Sequence, residues 1–115
     1  MVIAWLPRAV VVARARKSAA VPCAETKVIS IGLDTDPVDY DDPLLQLMLT
    51  VERSDDGGLS WQLWASAVIT GGTYAQDGSL PTMELTLGRA RCTSLIRTSL
   101  VPNKPTRIGL TGGIQ

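Results

Sequence analysis

Five aspartates crowd into one short stretch of the chain: Asp34, Asp36, Asp39, Asp41 and Asp42 all lie within DTDPVDYDDP. Carboxylates at that density are the hard oxygen ligands that Ca²⁺ takes, and Asp34, Asp36 and Asp39 are the three that a loop could turn toward one ion. The stretch has neither the central glycine nor the distal glutamate of an EF-hand loop, so it reads first as a solvated acidic loop and only second as a calcium site. Aromatic rings offer a different chemistry. Trp5, Tyr40, Trp64 and Tyr74 could stack on sugar rings, with Trp64 and Tyr74 the best candidates for a ligand platform. Catalysis is poorly served. The 115 residues contain no histidine, which removes the commonest general base and the usual activator of a serine or cysteine nucleophile. Ser, Thr and Lys are present without a recognisable partner. The Gly-rich stretches Gly71–Thr73 and Thr111–Gln115 lack the lysine and following helix of a phosphate loop, and read as turns or a terminal arm. The expectation is a non-enzyme with no cofactor.

Composition narrows the partners. Eleven basic and eleven acidic side chains balance, so nothing draws the whole chain toward nucleic acid or an anionic membrane. No apolar run approaches the length that spans a bilayer. Cys23 and Cys92 are too few for a disulfide scaffold or a four-thiolate zinc site; they read as buried free thiols, with a pairing between them left open. The first twenty residues are basic and contain no acid. Arg8, Arg14 and Arg16 interrupt any signal-peptide core, whereas an Arg-rich, acid-poor stretch fits a transit peptide by composition. A chain of this length is one domain, 1–115, in which 1–25 forms an N-terminal arm or an edge strand.

The elements that must position these residues are strands. Ile29, Ile31 and Leu33 alternate with Val28, Ser30 and Gly32 through Lys27 to Asp34. Leu44 to Val51 could start as a helix, with Asp42 as N-cap and Pro43 in the first turn. Leu45, Leu47, Leu49 and Val51 nevertheless alternate with Gln46, Met48 and Thr50, and Trp61, Leu63, Ala65, Ala67 and Ile69 alternate after the double glycine. Two such runs flanking a Gly-Gly turn predict a β-hairpin. A three-residue loop, Asp55-Asp56-Gly57, sets Val51 opposite Trp61, Leu49 opposite Leu63 and Met48 opposite Trp64. Met48, Trp64 and Val68, with Leu44, then form an apolar stripe on the outer side, wider than a lone soluble sheet needs. Further strands are predicted from Pro81 to Leu87, with Met83, Leu85 and Leu87 on one face; from Ser94 to Val101, with Ile96, Thr98 and Leu100; and from Thr106 to Thr111, with Ile108 and Leu110. Val10 to Lys17 fits a strand or a short helix. The fold class is all-β: an antiparallel β-sandwich, jelly-roll or Ig-like, of about six to eight strands.

The hairpin turn carries the most specific local pattern. Ser54, Asp56, Gly58, Ser60 and Trp61 match S-x-D-x-G-x-S/T-W, which resembles the Asp-box of sialidase-type propellers and several other β folds. That resemblance implies a structural turn outside any active site. The aspartate is suited to accept backbone N–H groups as in an Asx-turn, and the tryptophan to anchor the hairpin on the core.

Along the whole chain, Trp5-Leu6-Pro7-Arg8, the turn motif and Arg107-Ile108-Gly109-Leu110-Thr111 follow a layout that looks like small β-sandwich accessory proteins of tailed-phage particles, which decorate heads or join tail and fibre parts. The resemblance implies a repeated subunit located in the virion, whose partners are copies of itself and a major capsid or tail protein. Met48, Trp64 and Val68 are the expected partner-binding residues. The competing expectation is a carbohydrate-binding module using Trp64 and Tyr74.

Overall fold

Alternation of apolar and polar side chains decides which residues meet. The computed structural model describes residues 2–11, 14–23, 28–86 and 93–114. In chain order they form β1 (Val2–Val11), β2 (Arg16–Lys17), β3 (Val21–Pro22), β4 (Val28–Asp34), the short helix α1 (Pro37–Tyr40), β5 (Gln46–Ser54), β6 (Gln62–Thr70), β7 (Thr82–Thr86), β8 (Leu95–Pro102) and β9 (Thr106–Ile114). Two antiparallel sheets result: β1-β9-β4-β7 and β2-β8-β5-β6, with β3 also paired to β8. Ile29, Ile31 and Leu33 of β4 and Ile108 and Leu110 of β9 supply one inner face; Leu47, Leu49 and Val51 of β5 and Ile96 and Leu100 of β8 supply the other. This is a β-sandwich. With no Phe in the chain, the core consists mainly of aliphatic side chains, each contributing roughly 1.5–3 kcal/mol by its burial.

The chain's first residues edge both sheets. β1 pairs with β9 along one sheet, and β2 and β3 then cross to pair with β8 in the other. Between β2 and β3 the ladder is interrupted, and Ser18 bridges the gap: its N–H donates to the Thr98 carbonyl at 2.8 Å, and its hydroxyl accepts from the Thr98 N–H at 2.9 Å. The Arg16 guanidinium fastens the crossing by donating to the carbonyls of Ile108 and Pro7 at 3.1 and 2.9 Å. The expected N-terminal segment is thus an edge strand twice over. The nine strands among the described residues exceed the six to eight expected, because this segment supplies three of them, divided between the two sheets.

The strand expected within Leu44 to Val51 forms, as β5 from Gln46 onward. Three sequence expectations are corrected. The stretch read as a loop contains a helix, Pro37–Tyr40, with Asp36 at its N-cap and Pro37 in its first turn. Thr111 to Ile114 is not an arm or a turn but the end of β9, where Gly112 pairs with both Ile3 and Ile31. Glycine is required there because a Cβ would sit 1.9 Å from the Ser30 carbonyl oxygen, beside the Trp5 indole that donates to that same oxygen. Finally, the hairpin register differs. Leu49 faces Ala67, Val51 faces Ala65 and Met48 faces Val68, and a bulge follows, beyond which Glu52 faces Leu63 and Arg53 faces Gln62. The turn spans residues 55–61 instead of three residues, because the Ser54–Trp61 motif folds as a hydrogen-bonded unit of its own.

Two substitutions test this packing. Leu47→Ala, at a fully buried position of a central strand, is expected to cost about 2–5 kcal/mol in denaturant unfolding. Gly112→Ala should cost at least the roughly 1–3 kcal/mol of an overpacked site, although it adds only one methyl group. A neutral Gly112→Ala would contradict the close approach of β4.

Candidate functional site

The outer face of the five-stranded sheet is ordered in rows that run across the strands. At the Asp55 end, Glu52 of β5 faces Arg97 of β8, with two hydrogen bonds of 3.1 and 3.2 Å, and Lys17 of β2 approaches the same carboxylate at 3.8 Å. The Arg97 pairing holds the Glu52 carboxyl below the usual range, against the opposing effect of partial burial. One step along β5, Thr50 lies between Ser66 and Ser99 and hydrogen-bonds Ser99. The next row is apolar: Met48 lies between Val68 of β6 and Val101 of β8. These three line a shallow groove with Gln46, Pro102 and Asn103.

Exposure decides which apolar side chains are available. Met48 is 49% exposed, Val68 63%, Leu44 75% and Leu63 67%. Of the three expected partner-binding residues, the structure therefore brings Met48 and Val68 side by side but removes Trp64 from their stripe. Trp64 is the extra residue of the β6 bulge, which turns it and its neighbour Ala65 toward the core while Leu63 moves outward. Its ring packs against the core cluster with the Arg53 guanidinium 5.4 Å from the ring centre. Leu63 and Val101 were missed by sequence reasoning. The signal for Val101 was parity, since an inward Ile96, Thr98 and Leu100 leave it outward, but that step was not taken; nothing in the alternation marked the bulge that exposes Leu63.

The turn between β5 and β6 is organised by Asp56. Its carboxylate accepts from the Ser54 hydroxyl at 2.7 Å, from the Ser60 N–H at 2.9 Å and from the Ser60 hydroxyl, while Ser54 Oγ accepts from the Gly58 N–H at 2.9 Å. Gly57 and Gly58 have φ of +75° and +95°, which side-chain-bearing residues rarely adopt. These hydrogen bonds hold the Asp56 carboxyl well below the usual carboxylate range. The turn is tied to the start of β8, with the Gly57 N–H donating to the Thr93 carbonyl at 3.1 Å and the Ser94 hydroxyl to Asp55 at 2.7 Å. Trp61 anchors the hairpin differently from expectation. It is half-buried under Arg97, whose guanidinium lies 4.0 Å from a ring centre, and is not part of the core.

The other candidate residues are dispersed. Arg8 reaches Asp34 at 2.7 Å and Asp36 at 3.0 Å, so the two best calcium ligands hold a guanidinium, and Asp39 lies within α1. Among the described residues, no three acidic, Cys or His side chains converge on a point that could hold a metal ion. Asp42 pairs with Lys104, and that contact, aided by the Leu44 N–H, lowers its pKa. The aromatic platform is not assembled. Trp5 and Tyr40 are buried; Tyr40 donates to the Thr73 carbonyl at 2.6 Å and meets Tyr74 edge-on at 5.4 Å. Tyr74 is bound to Asp41, which pushes its pKa up to about 12. It follows the far end of β6 from Trp64, six residues or about 20 Å of strand away. Cys23 is a buried free thiol whose pKa burial raises, and Cys92 lies outside the described residues, as does Leu87. A second opening, about 260 Å³, enters the core between the free margins of β6 and β7, lined by Ile31, Leu33, Leu49, Ala67, Ile69 and Met83 among others. No helix among the described residues is long and apolar enough to cross a membrane.

No protein-family model matches this sequence, and no curated protein matches it significantly.

The turn makes a pH-dependent contribution whose sign follows from Asp56. A carboxyl with a lowered folded pKa stabilises the fold above its unfolded value of about 4 and loses that contribution as pH falls through the folded value. Asp56→Ala should therefore lower the thermal midpoint most at neutral pH, and the gap from the parent chain should narrow steadily in acid. A gap of constant size across the acid range would show that the charge of Asp56 plays no part.

Proposed function

We propose that this chain is a non-catalytic assembly subunit that works by protein–protein contact through the outer face of the five-stranded sheet. The observation that carries the reading is the apolar row Val101–Met48–Val68, with Met48 and Val68 exposed on a surface that alternation should have made polar. Contact energy at protein interfaces comes from desolvated apolar groups at the centre of a patch, with polar groups at its rim. Here Gln46 and Asn103 on one side and the Thr50 hydroxyl row on the other stand in that rim position.

The setting we infer is the virion of a tailed phage, with the chain as a capsid-decoration, tail or fibre accessory. The layout of Trp5-Leu6-Pro7-Arg8, the Ser54–Trp61 turn and Arg107–Thr111 supports that setting, and its partners would be further copies of the chain and a major capsid or tail protein. A carbohydrate-binding role finds no observation in its favour, since the two rings it needs lie at opposite ends of the hairpin.

A charge placed in the row tests the reading. The pair Met48→Asp and Val68→Asp should weaken self-association, or incorporation into particles, by about tenfold or more, with the melting curve unchanged. Sedimentation and particle co-purification measure both. The reading fails if the parent chain is monomeric at high micromolar concentration and the double variant enters particles as readily as the parent.

A further inference from the structure

A two-sheet sandwich has four edges, and three of these are guarded. β1 contains Pro7 and Arg8 and two irregularities in its register. The β2–β3 edge carries Arg16, Lys17 and Pro22 and is broken in the middle. β7 is five residues long, follows Pro81 and has Glu84 at its centre. Proline, charge, bulges and short length are the devices that keep edge N–H and C=O groups from pairing with another chain. β6 is the exception. Its nine residues, QLWASAVIT, contain no charge and no proline, and among the described residues it pairs only with β5. The bulge at Trp64 is confined to its first part, and at its other end the Thr70 carbonyl is held by the Thr73 hydroxyl at 2.6 Å and the Tyr40 hydroxyl at 3.3 Å, which leaves Ala65 to Ile69 as the open stretch in regular register.

We infer that β6 is a homotypic docking edge, at which two copies of this chain pair antiparallel about a two-fold axis close to Val68. The inference rests on the contact function proposed above and names its partner and geometry. A dyad there sets Val68 opposite its own copy, Ala67 opposite Ile69 and Ser66 opposite Thr70, so inward and outward faces are preserved across the junction. The row Val101–Met48–Val68 then runs directly into its copy. One symmetry operation thus covers two independent features, the unguarded ladder and the apolar row that ends on it. A second copy suits this edge better than a charged or proline-bearing strand, because β6 meets β6 without any ionic group, and equal numbers of acidic and basic residues leave no net repulsion between copies.

Cross-linking tests the geometry. Val68→Cys should give a covalent dimer under mild oxidation or with a short bis-maleimide, whereas Val10→Cys on the guarded β1 edge, with the same native cysteines, should not. Val68→Lys should convert a species of twice the monomer mass to monomer, and Val10→Lys should leave it dimeric; both positions are exposed, so the fold should survive, and circular dichroism checks this. If the parent chain is dimeric but Val68→Cys cross-links no better than Val10→Cys and Val68→Lys remains dimeric, the edge is excluded while the contact function stands. If the parent is monomeric yet enters particles, the homotypic edge again falls and the contact function survives. If it is monomeric and enters none, both fall together.

Discussion

A period of two residues, kept in step through four central strands, is the constraint from which the rest of this molecule follows. β4 and β9 in one sheet and β5 and β8 in the other must each keep a single parity inward, odd numbers in β4 and β5 and even numbers in β8 and β9, because a slip of one residue would expose every core side chain of that strand at once. The sequence satisfies this with Leu, Ile and Val at alternate positions. Aromatic residues are placed at the margins: Trp5 lies over Gly112 and bonds the Ser30 carbonyl, and Tyr40 is held by the carbonyl of Thr73 at the end of the β5–β6 hairpin. Among the described residues, the core group that resists this apolar economy is Thr98, whose hydroxyl is buried on the inner face of β8 without a hydrogen-bond partner, while its backbone is tied to Ser18.

The same constraint is broken once in β6, and the breach shapes the surface. A β-bulge inserts one residue and inverts the facing of everything beyond it. On one side of Trp64, Ala67 and Ile69 remain inward and Val68 outward; on the other, Leu63 moves to solvent and Trp64 takes its place against the core. The cost of exposing a leucine is offset by what the bulge allows. It lets the hydrogen-bonded turn at residues 54–61 join a regular ladder, and it brings the Trp64 ring under Arg53 while Trp61 receives Arg97 from β8, on the far side of β5.

These physical origins explain how much was legible in the sequence. The strands containing Ile29, Leu49, Ile96 and Ile108 could be read directly, since burial on one face leaves a clean alternation in composition. The turn at Asp56 could be read because its serines and glycines have local partners a few residues away. The register of β5 against β6 could not, because parity limits pairings to every second one and does not choose among them, and it carries no sign of a bulge. The end of β9 was obscured for another reason. A Gly-Gly pair is usually a mark of a turn, but here the missing side chain of Gly112 makes room for β4 and the Trp5 ring. Arg8 was equally hidden: its contacts with Asp34 and Asp36 span 26 and 28 positions of sequence, and only the fold brings them together.

The charged groups point to the kind of contact such a surface can make. Asp34 and Asp36 hold Arg8, Asp42 holds Lys104, Asp41 holds Tyr74, Asp56 holds two serines, and Glu52 holds Arg97. Each of these pairs joins separate segments or closes a turn, so the acidity that first suggested a metal loop serves to fasten the strands. Exposed ion pairs of this kind add little individually to stability, yet a carboxylate already engaged by a guanidinium or hydroxyl is also a poor starting point for a new ligand. The apolar row on the outer sheet has no such internal commitment: Met48, Val68 and Val101 touch one another across the strands and otherwise face water. A partner can therefore gain more by removing this row from water than by competing for the charges, and the association it drives should depend on shape and burial much more than on ionic strength.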